Sequence, residues 1–294
     1  MTITLPAYAK INLSLEVIGR RDDGYHDIST VMQMVELHDT LTFGPAPELT
    51  LETDSAELAT ESEDNLIIKA ARTLQAAGAE AGAEAGAHIR LEKRIPLAAG
   101  LGGGSSDAAT TLRGLNELWG LRLSNAYLRE LAGNIGADVP FFFGGPTALV
   151  EGRGERVTAV PSPPPCWVVL VYGRYVIANK TQHLYASLHK KDMSDGNTTR
   201  QLIAALLDGA FPAPHLLANT FERAAYNVFE GLEGARRKFH LAGGRAVHLS
   251  GSGPTLFTIF PRTQESRARS LHQALQTVGL DSYLTRTLTK SDLT

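Results

Sequence analysis

The chain is poor in cysteine: Cys166 is alone among 294 residues. No internal disulfide is possible, and its place beside Trp167 and Val168 in an apolar run fits a core thiol in a reducing compartment better than a catalytic nucleophile. An excess of either sign of charge is also lacking. With 28 basic and 31 acidic side chains the formal charge is only -3, and no Lys/Arg run marks a nucleic-acid tail, so no nucleic-acid partner is expected. No apolar run reaches the length of a membrane span, and strand-like residues 2–5 follow Met1 without the pattern of a signal peptide. The expectation is a cytoplasmic protein with no membrane partner. Nine histidines show no H-E-x-x-H or other ligand spacing, so no structural metal site is expected.

What is present reads as an ordinary globular composition, 43% apolar and 20% charged. The length exceeds that at which one core stops growing, so two domains sharing a cleft are expected. Prolines at 161, 163, 164 and 165 oppose both helix and central strand and set the boundary there, giving domains 1–160 and 161–294. Residues 9–18 alternate, with Ile11, Leu13, Leu15 and Val17 on one side, and end at the turn chemistry of Arg21, Asp22, Asp23 and Gly24. Asn65 opens a helix in which Leu66, Ile67, Ala70, Ala71 and Leu74 recur at helical spacing until about Gly78. Residues 77–87 read AGAEAGAEAGA, a repeat unable to bury a core and expected as a surface linker. A strand is expected over 88–95. Further strands at 167–172, 247–249 and 255–260, with helices at 199–207, 220–232 and 266–278, make an α+β pattern.

The strongest chemical signal is PLAAGLGGGSSDAA at residues 96–109. Gly100, Gly102, Gly103 and Gly104 let backbone approach a ligand closely, and Ser105 and Ser106 stand as hydroxyls at the cap of a helix with the apolar stripe Ala108, Leu112, Leu115 and Trp119. Unpaired N–H groups and the helix dipole favour phosphate at such a place. No Gly-Lys-Ser/Thr follows, so this is no P-loop, and the Rossmann spacing is missing. A packed hinge is the bland alternative.

This segment resembles the phosphate-binding motif of the GHMP kinases, in the form carried by their diphosphocytidyl-methylerythritol kinase branch. The residues Ala9, Lys10, Ile11, Asn12 and Leu13, then Gly24, Tyr25 and His26, are similar to A-K-I-N-L and D-G-Y-H segments of that branch rather than of homoserine, galactose or mevalonate kinases. Residues 136–142 (GADVPFF) and 250–255 (SGSGPT) match two further family segments. The chain departs from the pattern twice. Residues 176–181 read VIANKT where relatives carry a Val-Ser-Thr run, and Asn219-Thr220 replaces an Asn-Asp pair.

The resemblance implies a two-domain GHMP architecture, with a ribosomal-S5-like N-terminal and a ferredoxin-like C-terminal domain. It implies ATP as co-substrate with Mg²⁺, partly held by Ser105 or Ser106, and a cytidine-diphosphate small molecule as the other substrate. Phosphoryl transfer to the 2-hydroxyl of diphosphocytidyl-methylerythritol is the expected reaction; another GHMP kinase such as homoserine kinase, or a non-catalytic metabolite sensor, is the alternative. Catalysis falls to Lys10 and Asp138, the carboxylate accepting the hydroxyl proton late in a loose transition state. ATP falls to Asn65, Lys93, Pro96, Gly100, Leu101, Gly102, Gly103, Gly104, Ser105 and Ser106. The substrate falls to Asn12, Tyr25, His26, Tyr185, Ser250, Gly251 and Ser252. Taken alone, several have plainer readings: Lys10 as a solvated strand residue, Tyr25 as a loop aromatic, Asn65 as a helix cap, Asp107 as a partner of the helix dipole. Sequence leaves monomer and homodimer open.

Overall fold

The computed structural model describes residues 1–58, 60, 62, 64–79, 86–173 and 180–293. Most of the AGAEAGAEAGA repeat, and residues 176–179 of the departing VIANKT run, lie outside them. In chain order the elements are strands β1 Ile3–Arg20, β2 His26–Ala46 and β3 Leu49–Thr53, helix α1 Leu66–Ala79, strand β4 Gly86–Glu92, helices α2 Gly103–Leu118 and α3 Asn125–Gly133, and strands β5 Thr147–Gly152, β6 Arg156–Ala159 and β7 Cys166–Val171. They continue with helices α4 Lys180–Ala186, α5 Asn197–Leu207, α6 Glu222–Val228 and α7 Leu232–Leu241, strands β8 His248–Leu249 and β9 Leu256–Pro261, helix α8 Glu265–Thr277 and strand β10 Ser282–Arg286. Among the described residues no helix is long and apolar enough to cross a membrane.

The chain forms two compact units. The first comprises Met1–Ala9, Leu37–Leu97 and Gly102–Gly144, the second Lys10–Glu36, Ala98–Leu101 and Gly145–Thr294. Strands β1 and β2 pair with each other and contribute residues to both.

In the first unit β3 and β4 run parallel, Leu51 opposite Ile89, joined by the crossover that contains α1, and β4 lies antiparallel to the C-terminal part of β2. Helix α1 begins as its sequence dictates: Asn65 Oδ1 accepts the Ile67 N–H at 2.9 Å, supplying one of the donors a helix start leaves unsatisfied. Apolar faces of α1 and α2 (Ile67, Ala71, Leu74, Leu112, Leu115) join Phe43, Ile89 and Leu91 in the buried core. Strand β2 was not visible in the sequence, where His38 and Asp39 break its alternation.

In the second unit an antiparallel sheet runs β10-β7-β9-β8, with Val169 opposite Thr258 and Leu284 opposite Val169 on its other edge. The hairpin of β5 and β6 pairs with the N-terminal part of β2. Leu15, Val17, Phe221, Phe229, Phe239 and Leu271 fill a shared core. The helix expected over 220–232 is two helices. Phe229, wholly buried, takes extended backbone (ψ 99°), and Gly231 at φ 84° restarts the chain as the cap of α7. Burial pushes the Cys166 thiol up to about 12, so it stays protonated and inert at neutral pH.

Candidate active site

The glycine-rich segment leads directly into α2. Gly102 is the N-cap at φ 70°, with no side-chain cap, so Ser105 and Ser106 sit inside the first turn and not at the cap where the sequence suggested them. Ser106 is buried, whereas Ser105 is half-buried. A Cβ added at Gly103 would lie 3.0 Å from both Lys93 Nζ and Ile95 Cγ2, so a larger residue there would have to push this floor aside.

Beneath that floor lies a charge cluster that sequence reading missed. Lys93, its side chain 7% exposed, donates to Asp39 and, at 3.2 Å, to Asp107. Asp39 is wholly buried and also accepts the N–H groups of Arg94 and, at 2.7 Å, Ile95, which ties the exit of β4 to β2. Burial raises the Asp107 pKa well above the usual carboxylate range; Lys93 opposes the shift and Asp39 adds to it. Asp107 is therefore held in a structural cluster and is not simply a partner of the helix dipole. Asp39 gave no sequence signal, being one acid in a strand whose pairing is long-range.

Asp138, in the same unit, stands half-buried at the head of a 3₁₀ turn, Val139–Phe143, whose five residues are all buried. Pro96 begins the loop 96–101. Asn65, Lys93, Pro96, Gly102, Gly103, Gly104, Ser105, Ser106 and Asp138 thus belong to the first unit, where Gly103 leaves little room above Lys93.

The second unit gathers a different set. One face of β1 carries Ile11, Leu13, Leu15 and Val17 as the alternation predicts, but the opposite face is buried as well, and it is polar: Lys10, Asn12, Ser14 and Glu16. Lys10, only 3% exposed, is not a solvated strand residue. Its ammonium donates to Asn12 Oδ1 at 2.7 Å, and Asn12 Nδ2 donates to Thr30 Oγ1 at 2.8 Å, so the amide is held at both ends. Gly251 closes on this pair: at φ 57° a Cβ would meet Asn12 Oδ1 at 3.0 Å and Lys10 Nζ at 3.3 Å. Asn219 fixes that turn, donating to the carbonyls of Leu249 at 2.9 Å and Gly251 at 2.8 Å while accepting from Phe221 N–H. Further along β1, Glu16 accepts from Ser194 and from Thr199 N–H at the start of α5; burial works against its ionised form, but these hydrogen bonds win and lower its pKa.

His26 and Tyr185 stack with ring centroids 4.6 Å apart and planes 20° from parallel, and Phe221 meets Tyr185 edge-on. Tyr25 does not join them. It is 60% exposed, with the Arg153 guanidinium 5.2 Å from its ring centre. Ser252 Oγ lies 3.1 Å from Thr181 Oγ1, and Ser250 Oγ donates to Gly100 O at 3.2 Å, so the Ser250 turn and the 98–101 loop are directly joined.

Comparison with known proteins agrees with both halves of this picture. Residues 65–145 match the GHMP kinases N terminal domain, and residues 202–279 match the GHMP kinases C terminal domain. The 4-diphosphocytidyl-2-C-methyl-D-erythritol kinase of Dehalococcoides mccartyi is 38% identical over 97% of this chain and 98% of its own; that of Thermodesulfovibrio yellowstonii is 40% identical over 88% and 90%. A crystal structure of 4-(cytidine 5'-diphospho)-2C-methyl-D-erythritol kinase superposes with a TM-score of 0.80 at 32% identity, covering 97% of this chain and 99% of that one. Homoserine kinase from Cytophaga hutchinsonii, at 18% identity and a TM-score of 0.75, shares the fold. With both GHMP domains matched and relatives aligned over nearly its whole length, the chain belongs to the GHMP kinase family, among the 4-diphosphocytidyl-2-C-methyl-D-erythritol kinases.

Proposed function

We propose that this protein transfers the γ-phosphoryl group of ATP to the 2-hydroxyl of 4-diphosphocytidyl-2-C-methyl-D-erythritol, giving the 2-phosphate and ADP. The observation that carries the reading is the buried Lys10–Asn12 pair closed over by Gly251. Desolvating a lysine beside a closely packed turn costs stability, whereas a kinase needs a fixed ammonium and an amide at the reacting hydroxyl. In this reading Asn12, Ser250, Gly251 and Ser252 hold the polyol, and Lys10 orients the hydroxyl oxygen. Asp138 accepts the proton as the phosphoryl group departs, a task for which a weak base suffices in a loose transition state.

Gly102, Gly103, Gly104 and Ser105 offer the phosphates the N–H groups and dipole of the α2 start, with Gly100 and Leu101 leading into it. Asn65 and Pro96 lie toward the nucleotide in this reading, while Lys93, bonded to Asp39 and Asp107, supports the α2 start from beneath. Mg²⁺ accompanying ATP neutralises phosphate charge when bound. Half-buried Ser105 is the hydroxyl suited to it, since Ser106 is buried and Asp107 is engaged with Lys93. The stacked His26–Tyr185 pair, with Tyr25 exposed in the preceding loop, gives a planar aromatic surface for the cytosine. ADP release measured against a panel of alcohols tests the proposal. Turnover of the cytidylylated methylerythritol and not of homoserine is expected; turnover of homoserine, or of no alcohol, overturns it.

A further inference from the structure

The loop 98–101 is held by its carbonyls, one after another. Ala98 O and Gly253 O both accept from Lys180 Nζ, the latter at 2.7 Å; Ala99 O accepts from Thr255 N–H at 3.2 Å, Gly100 O from Ser250 Oγ at 3.2 Å, and Leu101 O from Lys10 N–H at 2.9 Å. In a trans peptide the N–H of each residue points opposite to the carbonyl before it. Four carbonyls drawn to these donors turn the N–H groups of Ala99, Gly100, Leu101 and Gly102 away from them, and left-handed backbone at every second residue, Ala98, Gly100 and Gly102 (φ 53°, 83° and 70°), is the alternation from which anion-binding backbone nests are built. Ala98 sits at φ 53°, which a residue with a Cβ adopts only where its surroundings impose it. Three of the four donors are backbone or belong to the Ser250 turn. The fourth is a side chain from α4, at a position where the chain departs from the family pattern.

Building on the reading that this loop leads into the phosphate site of a kinase, we propose that Lys180 is a positioning residue for ATP: its ammonium bridges the two glycine turns and holds the 98–102 amides aimed at the phosphates. Its role lies in clamping Ala98 O and Gly253 O together. The charge matters because one ammonium serves two carbonyls at once, and a neutral side chain of equal length serves neither.

The test is calorimetric titration of ATP with Mg²⁺ into wild type, Lys180→Met and Lys180→Arg, with hydrogen exchange of the 98–102 peptides measured by mass spectrometry. Lys180→Met keeps the aliphatic stem and should bind ATP about tenfold more weakly, part of the worth of the two charge-assisted hydrogen bonds it removes, with faster exchange across 98–102. Lys180→Arg should recover most of both. ATP affinity within twofold of wild type in Lys180→Met overturns the proposal. So does weaker binding with unchanged exchange, which would make Lys180 a direct ligand contact. Failure of wild type itself to bind ATP would instead overturn the kinase reading on which this rests.

Discussion

Replacing Asp39 by Asn removes one charge from the cluster beneath Gly103 and tests whether that cluster supports the α2 start. The Asp39 carboxylate accepts from the Lys93 ammonium and from the N–H groups of Arg94 and Ile95, with no exposure of its side chain. Asparagine still has one oxygen for the two amides, but its NH₂ is turned against the ammonium, and Lys93 keeps Asp107 as its remaining carboxylate. Removing one partner of a buried ion pair costs about 3–5 kcal/mol. Each kcal/mol lowers the Tm of a chain this large by roughly 2–3 °C, so a fall on the order of 10 °C is expected.

Asp107→Asn should behave differently, although it touches the same lysine. Burial raises the Asp107 pKa, so the folded state holds this proton more tightly than the unfolded chain does. Its contribution to stability is therefore fully present below the unfolded value of about 3.9 and is lost as pH rises through the folded pKa. Asparagine carries no such loss. Relative to wild type, Asp107→Asn should become steadily more favourable as pH rises above the ordinary carboxylate range and through the raised pKa of the buried acid. Scanning fluorimetry of the three proteins across that range measures both effects. Equal, pH-independent losses in the two variants would refute the reasoning.

Three further outcomes follow from the site. Gly104→Ala should keep or slightly raise Tm, since its Cβ meets only Leu66 Cδ1 at 3.6 Å and alanine favours a helix by about 1 kcal/mol, yet it should weaken ATP binding severalfold in a titration; unchanged affinity would move the phosphates elsewhere. Asp138→Asn should lower kcat by about 10² to 10⁴ with both substrates still bound, and Lys10→Ala should add little to it in the double variant; near-normal turnover in Asp138→Asn would end the proposed mechanism. Tyr185→Ala should raise KM for the cytidylylated substrate by an amount worth roughly 1–3 kcal/mol of stacking while sparing ATP, and equal losses for the two ligands would make the His26–Tyr185 stack mere packing.

The sequence by itself determined what depends on neighbours in the chain. Asn65 caps α1, the glycine run precedes α2, β1 alternates, and Cys166 is buried, because each follows from spacing and residue chemistry within a few positions. The motifs around Lys10, residues 96–109, Asp138 and Ser250 sufficed to place the chain among the GHMP kinases. The tertiary structure alone decided which polar groups meet. Asp39 reaches Lys93 across 54 positions, Lys180 reaches Ala98 across 82, and Glu16 reaches Thr199 across 183. It also divided the helix expected over 220–232, since packing of Phe229 overrode local propensity. Such pairings depend on the pairing of strands and the closure of loops, for which no local pattern exists, and burial then makes the pairing of each charge obligatory.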